Sequence, residues 1–192
     1  MSRPALLPES AAFSLLRQQM AKRILVLDGA TGTMIQQFKL SEDDYRGTGV
    51  STLSAEVREA IASAVAKGID VKGNNELLSL TRQDVILNIH RQYLAAGADI
   101  VETNTFGATS VAQEDYHLPQ LCRLMNLESA RLARIACDEI STPDHPRFVA
   151  GAIGPTPRTA SISPDVNDPG ARNIHFDQLV AGYREQIEAL LD

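Results

Sequence analysis

The sequence is poor in cysteine and in aromatic residues. Its 192 residues include two cysteines, no tryptophan and only 5% aromatic side chains. Cys122 and Cys137 lie in a helix-like segment, and neither has a histidine or another cysteine at the spacing of a metal site. We therefore expect two buried core thiols, and neither a disulfide nor a zinc site.

Long apolar runs and runs of basic residues are also missing. No stretch approaches the ~20 apolar residues of a membrane span, and Pro, Glu, Arg and Gln interrupt residues 1–23, so we predict a cytoplasmic protein without a membrane partner. The chain has 18 basic and 24 acidic residues and a net charge of -6, which argues against nucleic-acid binding. The remaining composition, 44% hydrophobic and 22% charged, is typical of a globular domain.

Three segments run from apolar residues into small and polar ones. They are residues 24–33 (ILVLDGATGT), 98–106 (ADIVETNTF) and 147–156 (RFVAGAIGPT). Segments with helical periodicity separate them, and strands that alternate with helices pair in parallel. An α/β fold is predicted, with the polar ends together at the carboxyl edge of the strands, where ligands bind.

These polar ends supply the candidate ligand-binding residues. The first loop offers Asp28, Gly29, Ala30 and Thr31, and the second offers Glu102, Thr103, Asn104 and Thr105. Asp28 is either a ligand-binding acid or a residue that only caps the turn. Strand alternation sends Glu102 and Asn104 to one side and the two threonines to the other, so we expect only one pair to face a pocket. A purely structural polar layer is the alternative.

The helical segments are predicted from their periodicity and end signals. They cover residues 11–22, 34–40, 53–67, 81–97, 121–136 and 176–191. Ser51 or Thr52 is the expected cap of the third segment, and Thr81 with Asp84 resembles a capping box. The last segment has one apolar face and reaches Asp192 without a stop signal, so we expect the fold to continue. His90 and His175 are expected in helices, without a catalytic role.

Five strings in this order resemble the N-terminal homocysteine-binding module of cobalamin-dependent methionine synthase. They are ILVLDGATGTMIQ, KGNNELLSL, GADIVETNTFGATS, RFVAGAIGPTPRTASISPDVNDP and RNIHFDQLVAGYREQ, and the likeness covers residues 22–192. It implies a (β/α)₈ TIM barrel in which zinc, held by three cysteines, activates homocysteine for methylation by methylcobalamin on a separate module. It also implies that Asp28 pairs with the substrate ammonium, while backbone N–H groups of Gly29, Ala30 and Thr31 hold its carboxylate.

The chain departs from this family pattern in two places. The zinc-ligand motifs resembling V-N-C and G-G-C-C-G do not occur, and residues 50–71 include an extra helix. We therefore expect an N-terminal extension at residues 1–23, then a partial barrel at residues 24–192 with about three βα units and an insert near residues 51–70. The zinc ligands would lie outside this chain, so it alone should be inactive.

Three functional interpretations stay open at this point. The first is a methionine synthase module that works with the remaining barrel units and with cobalamin and folate modules. The second is a non-catalytic remnant or interaction module. The third is a homocysteine methyltransferase that uses betaine or S-methylmethionine, since no D-x-H-x-x-G string for binding cobalamin is present.

Overall fold

The computed structural model describes residues 9–192, so the predicted segment at residues 1–23 is covered only from residue 9 onward. The elements of this part of the chain are α1 (Ala11–Met20), α2 (Thr31–Gln37), α3 (Glu42–Arg46), α4 (Ala55–Ala66), α5 (Leu78–Thr81), α6 (Gln83–Ala95), β1 (Ile100–Glu102), α7 (Ser110–Gln113), α8 (Cys122–Ile140), β2 (Phe148–Ala150) and α9 (Phe176–Leu191). Short 3₁₀ turns lie at Asn75–Leu77, Glu114–Tyr116 and Pro119–Leu121.

The extended segments pair in parallel, as the sequence predicts, but they are short. Strands β1 and β2 are in register with Ile100 opposite Phe148. Residues 24–28 flank the other side of β1, where Leu27 forms a single parallel bridge to Ile100 and the Asp28 N–H donates to Ile100 O at 2.9 Å. This first segment is therefore not a full strand. Its outer edge has no partner within residues 9–192, and Ile24 is 89% exposed.

A buried carboxylate ties together the amino ends of the three extended segments. Asp99 is 2% exposed and accepts two hydrogen bonds from Arg23, at 2.7 and 2.8 Å, and one from Arg147 at 3.0 Å. It also accepts the Val26 N–H at 2.9 Å. The paired Arg23 guanidinium lowers the Asp99 pKa to about 2, helped by Val26 and Arg147. This cluster fixes the sheet at the end opposite the predicted ligand-binding face.

Helix α4 confirms the helix predicted over residues 53–67 and corrects its start. Ser54, rather than Ser51 or Thr52, caps it by accepting the Val57 N–H at 3.3 Å. Gly68 follows its end with φ +79°. The helix contributes a small-residue face to the main hydrophobic core, namely Val57, Ala60, Ile61 and Ala64. Helix α4 is thus an integral part of this core.

The helix predicted to begin at Thr81 begins two residues later, and the proposed capping box is wrong. Thr81 is the last residue of α5, where its hydroxyl donates to Leu77 O at 3.3 Å. Arg82 breaks the path between α5 and α6 with φ −137° and ψ 56°. The Asp84 carboxylate pairs with Arg82 at 2.8 Å instead of capping the helix. Gly97 follows the end of α6, as predicted, with φ +107°.

Helix α9 packs on the fold through small and polar residues. Gly182, Gln186 and Ala189 are its buried residues, whereas Phe176 is 74% and Leu191 is 77% exposed. The contact is close at Gly182, since a Cβ there would lie 3.4 Å from both Ser110 Oγ and Val111 Cγ2. Much of the predicted apolar face therefore points away from the sheet. None of the helices within residues 9–192 has the length and apolar character needed to cross a bilayer.

The two cysteines and two of the histidines occupy different environments. Cys122 and Cys137 are buried free thiols in α8, as predicted. His90 is fully buried in α6, and neither ring nitrogen has a hydrogen-bond partner within residues 9–192. His175 lies just before α9, where its backbone N–H donates to Gln178 Oε1 at 2.9 Å, so it is not inside a helix.

Candidate substrate-binding site

A cavity of about 280 Å³ opens at the carboxyl ends of the extended segments. Seven of the eight predicted site residues line it, and Asp28 lies directly before them in the chain. The complete lining is Gly29, Ala30, Thr31, Gly32, Asn75, Glu76, Glu102, Thr103, Asn104, Thr105, Phe106 and Ala152. The structure therefore brings the two predicted loops together and adds residues from the end of β2 and from the turn before α5.

Asp28 connects the first loop to the end of β1. Its Oδ1 accepts the Glu102 N–H at 3.0 Å, whereas Oδ2 is buried without a hydrogen-bond partner among the residues described. Burial raises the Asp28 pKa to about 6, and the nearby Glu102 charge adds to this, while the Glu102 N–H opposes it. A carboxylate in this state gains from a cation placed beside it.

The loop after Asp28 lines the cavity and leads into helix α2. Helix α2 starts at Thr31, and its first internal hydrogen bond is donated by Met34 to Ala30 O at 3.1 Å. The N–H groups before Met34 therefore precede the first hydrogen bond of the helix. Ala30 has a positive φ of 22°, which turns the chain from the extended segment into α2.

The threonines at the end of β1 hold the end of β2. Thr103 Oγ1 accepts the Ala152 N–H at 2.9 Å, and Thr105 Oγ1 donates to Ala152 O at 2.7 Å. The two hydroxyls also contact each other at 2.6 Å. Both side chains are thus occupied in joining the two strand ends, although both residues contribute to the cavity wall.

The other two residues of this segment differ from each other. Asn104 donates to Asn75 O at 2.7 Å and to Ser79 Oγ at 3.1 Å, so its amide is turned toward the turn before α5. Glu102 lines the cavity, and no hydrogen bond joins its carboxylate to any residue from 9 to 192. The side chains therefore do not divide into the two simple pairs expected from strand alternation, and Glu102 is the one left free for a ligand.

The sequence reasoning missed Asn75 and Glu76. Glu76 Oε1 accepts the Gly107 N–H at 2.9 Å, and burial raises the pKa of its carboxyl group. Asn75 is held by Tyr45, whose hydroxyl donates to Asn75 Oδ1 at 2.9 Å. The available signal was the break in helical periodicity at KGNNELLSL. A polar break between apolar segments marks a loop that can reach a site, but it does not say which site.

The site is acidic. Glu76 and Glu102 line the cavity, Asp28 directly precedes the lining residue Gly29 in the chain, and no Lys, Arg or His is among the lining residues. Cationic groups of a ligand are therefore favoured near the carboxylates, and an anionic group has only backbone N–H groups and neutral side chains to meet.

The zinc ion implied by the sequence resemblance does not fit the residues described. A zinc site needs three or four ligands, and no three His, Cys, Asp or Glu side chains within residues 9–192 come together to hold a metal. Cys122 and Cys137 are separated by roughly 22 Å along α8, given its rise per residue. Burial raises their pKa values to about 12 and about 11, so both stay protonated at neutral pH.

Comparison with solved structures gives the same overall architecture. The chain resembles the homocysteine methyltransferase MmuM from Escherichia coli in its oxidized form, with 22% identity and a TM-score of 0.60 over 92% of this chain and 52% of that one. The metallated form of MmuM matches at 21% identity and a TM-score of 0.60, over 92% and 53% of the two chains. The chain thus spans about half the length of these structures, and the likeness shows the fold.

The family assignment comes from the sequence itself. A protein-family model for homocysteine S-methyltransferase matches residues 25–192, which include both loops of the cavity and every strand of the sheet. The match begins at the first extended segment and excludes α1. The chain belongs to the homocysteine S-methyltransferase family.

Proposed function

We propose that this chain forms the amino-acid-binding part of a homocysteine S-methyltransferase. The observation that carries the proposal is the acidic cavity, which is lined by the loop of Gly29, Ala30 and Thr31 and by Glu76 and Glu102, with no Lys, Arg or His among its lining residues. A zwitterionic amino acid matches this distribution of charge. Its ammonium would lie near Asp28 and Glu102, and its carboxylate would accept hydrogen bonds from the loop of Gly29, Ala30 and Thr31.

This part of the chain binds and orients the substrate. The ammonium would offset the repulsion between the Asp28 and Glu102 carboxylates, and it would favour the ionised form of Asp28. Activation of the homocysteine thiol needs a group that removes its proton, because a free thiol with a pKa near ~8.5 is mostly protonated at neutral pH. We propose that the zinc ligands for this step belong to the rest of the barrel.

The remaining barrel units are also the proposed partners of the exposed surfaces. The outer edge of residues 24–28 and the exposed face of α9 are where further βα units would pack in a closed barrel. The sequence strings favour methylcobalamin on another module as the methyl donor. Betaine and S-methylmethionine are the alternatives, and turnover of the completed barrel with each donor in turn would distinguish them.

A titration with homocysteine and two truncated analogues tests the binding proposal. The ¹⁵N-labelled protein would be titrated with homocysteine, with 3-mercaptopropylamine, which lacks the carboxylate, and with 4-mercaptobutyrate, which lacks the ammonium. We expect homocysteine to shift the amides of residues 28–33 and 102–106, and the acid without an ammonium to bind most weakly. Equal binding of both analogues, or shifts confined to other residues, would contradict the proposal.

A further inference from the structure

Helix α9 places a buried glutamine against the end of β1. Gln186 is fully buried, and its Nε2 donates to Thr105 O at 2.7 Å. One turn earlier in α9, the Tyr183 hydroxyl donates to Gly154 O at 3.0 Å. Two side chains of one helix therefore hold the backbone beyond both β1 and β2, at the cavity side of the sheet.

The two chain segments held by α9 touch each other without free space. The Gly154 N–H donates to Phe106 O at 3.1 Å. A Cβ at Gly154 would lie 2.4 Å from Phe106 O and 2.7 Å from atoms of the Phe106 ring. Phe106 lines the cavity, so a small displacement of this junction changes the cavity wall.

Gln186 is not the residue that would give the most stable core at this position. Its Oε1 is buried and has no hydrogen-bond partner within residues 9–192. A buried acceptor without a partner is unfavourable for folding, whereas a methionine of similar length would carry no such group. The polar side chain thus has a measurable disadvantage for stability that its contact with Thr105 O has to offset.

We infer that Gln186, supported by Tyr183, is a positioning residue that sets the geometry of the substrate cavity from α9. This inference rests on the proposed function, because the cavity is taken as the amino-acid site. Gln186 itself touches only the backbone of Thr105 in this role, and Gly182 lets α9 approach closely enough for that contact.

The test measures the melting temperature of Gln186→Met together with its Gly154 amide exchange and its affinity for homocysteine. We expect the melting temperature to be unchanged or higher, the Gly154 amide to exchange faster with solvent, and homocysteine to bind about three- to tenfold more weakly, as for the loss of one hydrogen bond. Gln92→Met, at an exposed position of α6, is the matched control and should change none of these quantities. Tyr183→Phe should also make the Gly154 amide exchange faster with solvent, without altering the core.

The outcomes separate the two proposals. If the wild-type chain does not bind homocysteine, the proposed function fails, and Gly154 exchange alone still decides whether Gln186 positions this junction. A lower melting temperature of Gln186→Met with unchanged exchange and affinity would make Gln186 a packing residue and overturn the inference. Should Gln186→Met not fold, unchanged exchange and affinity in Tyr183→Phe would overturn it.

Discussion

In the proposed site, the charge of Asp28 would link substrate binding to stability. Replacing it with asparagine should weaken homocysteine binding by about 1 to 3 kcal/mol, the range for losing a charge-assisted hydrogen bond. Calorimetry measures this change. Asp70→Asn is the control, since that carboxylate is 87% exposed and should leave the affinity as it is. Unchanged affinity in Asp28→Asn would remove Asp28 from the site.

The same substitution should have the opposite effect on the unliganded protein. Folding raises the Asp28 pKa from an ordinary value near ~4 to about 6. Its contribution to stability is therefore present below pH 4 and lost as the pH rises through 6. Asp28→Asn should gain stability relative to the wild type over this window, as measured by urea unfolding at several pH values. A constant difference between the two proteins would contradict the raised pKa.

His90 should make the fold sensitive to acid. Burial lowers its pKa to about 4, so the stability of the neutral form is present above pH 6.5 and lost as the pH falls through 4. His90→Leu removes two unpartnered nitrogens and should raise the free energy of unfolding by about 1 to 3 kcal/mol. Thermal unfolding at pH 5 and pH 7 measures both effects, and the exposed His117→Asn serves as the control. A His90→Leu variant that loses stability would point to an unseen partner for the ring.

At the scale of elements, the Asp99 cluster should dominate the stability of the sheet. Asp99→Asn leaves the nearly buried Arg147 without its ion partner and should lower the free energy of unfolding by about 3 to 5 kcal/mol. Because the Asp99 pKa is lowered to about 2, the wild type should lose this stability as the pH falls from 4 through 2. Glu139→Gln breaks the exposed pair with Arg91 and should change stability by less than about 1 kcal/mol. Equal losses of unfolding free energy in both variants would argue against a dominant role of the Asp99 cluster.

The sequence predicts elements well where local chemistry decides them. The helix near residues 53–67, the parallel order of the extended segments and the turn at Gly97 follow from periodicity and glycine. Thr81 was misread because Arg82 pairs with Asp84, a side-chain contact that the capping pattern cannot exclude. The packing face of α9 could not be predicted from periodicity, which considers only apolar side chains. Gly182 and Gln186 form this face, and they pack against residues far away in the chain.

The two loops of the candidate site were predictable from the sequence, whereas the turn that supplies Asn75 and Glu76 was not. Asp28 and residues 102–105 stand out because polar groups follow apolar strands. Glu76 does not follow a strand; it lies in the turn at Asn75–Leu77, where its carboxylate accepts the Gly107 N–H. Sequence alternation also could not show that the Thr103 and Thr105 hydroxyls are both bound to Ala152.

For the molecule as a whole, the exposed apolar surfaces predict self-association. Val180 and Ile187 on α9 are 38% and 41% exposed, next to the more exposed Phe176 and Leu191. Such a face favours association when nothing covers it. Sedimentation velocity of the isolated 192-residue chain should show larger species with increasing concentration, and Val180→Lys with Ile187→Glu should reduce them. A monomer at all concentrations would contradict this expectation.

The two kinds of contact around β1 also imply an order of folding. The hydrogen bond from the Glu102 N–H to Asp28 joins residues 74 positions apart, and the one from the Ala152 N–H to Thr103 joins residues 49 positions apart. Loop closure alone separates these contacts by only about 0.4 kcal/mol, so it does not set the order. Helix α8 does, because it lies in the crossover from β1 to β2 and packs on both strands. We expect pulse-labelled hydrogen exchange during refolding to protect the Thr103 amide, which donates to Ala150 O, before the Asp28 amide, which donates to Ile100 O. Residues 24–28 would then be the last segment to join the sheet.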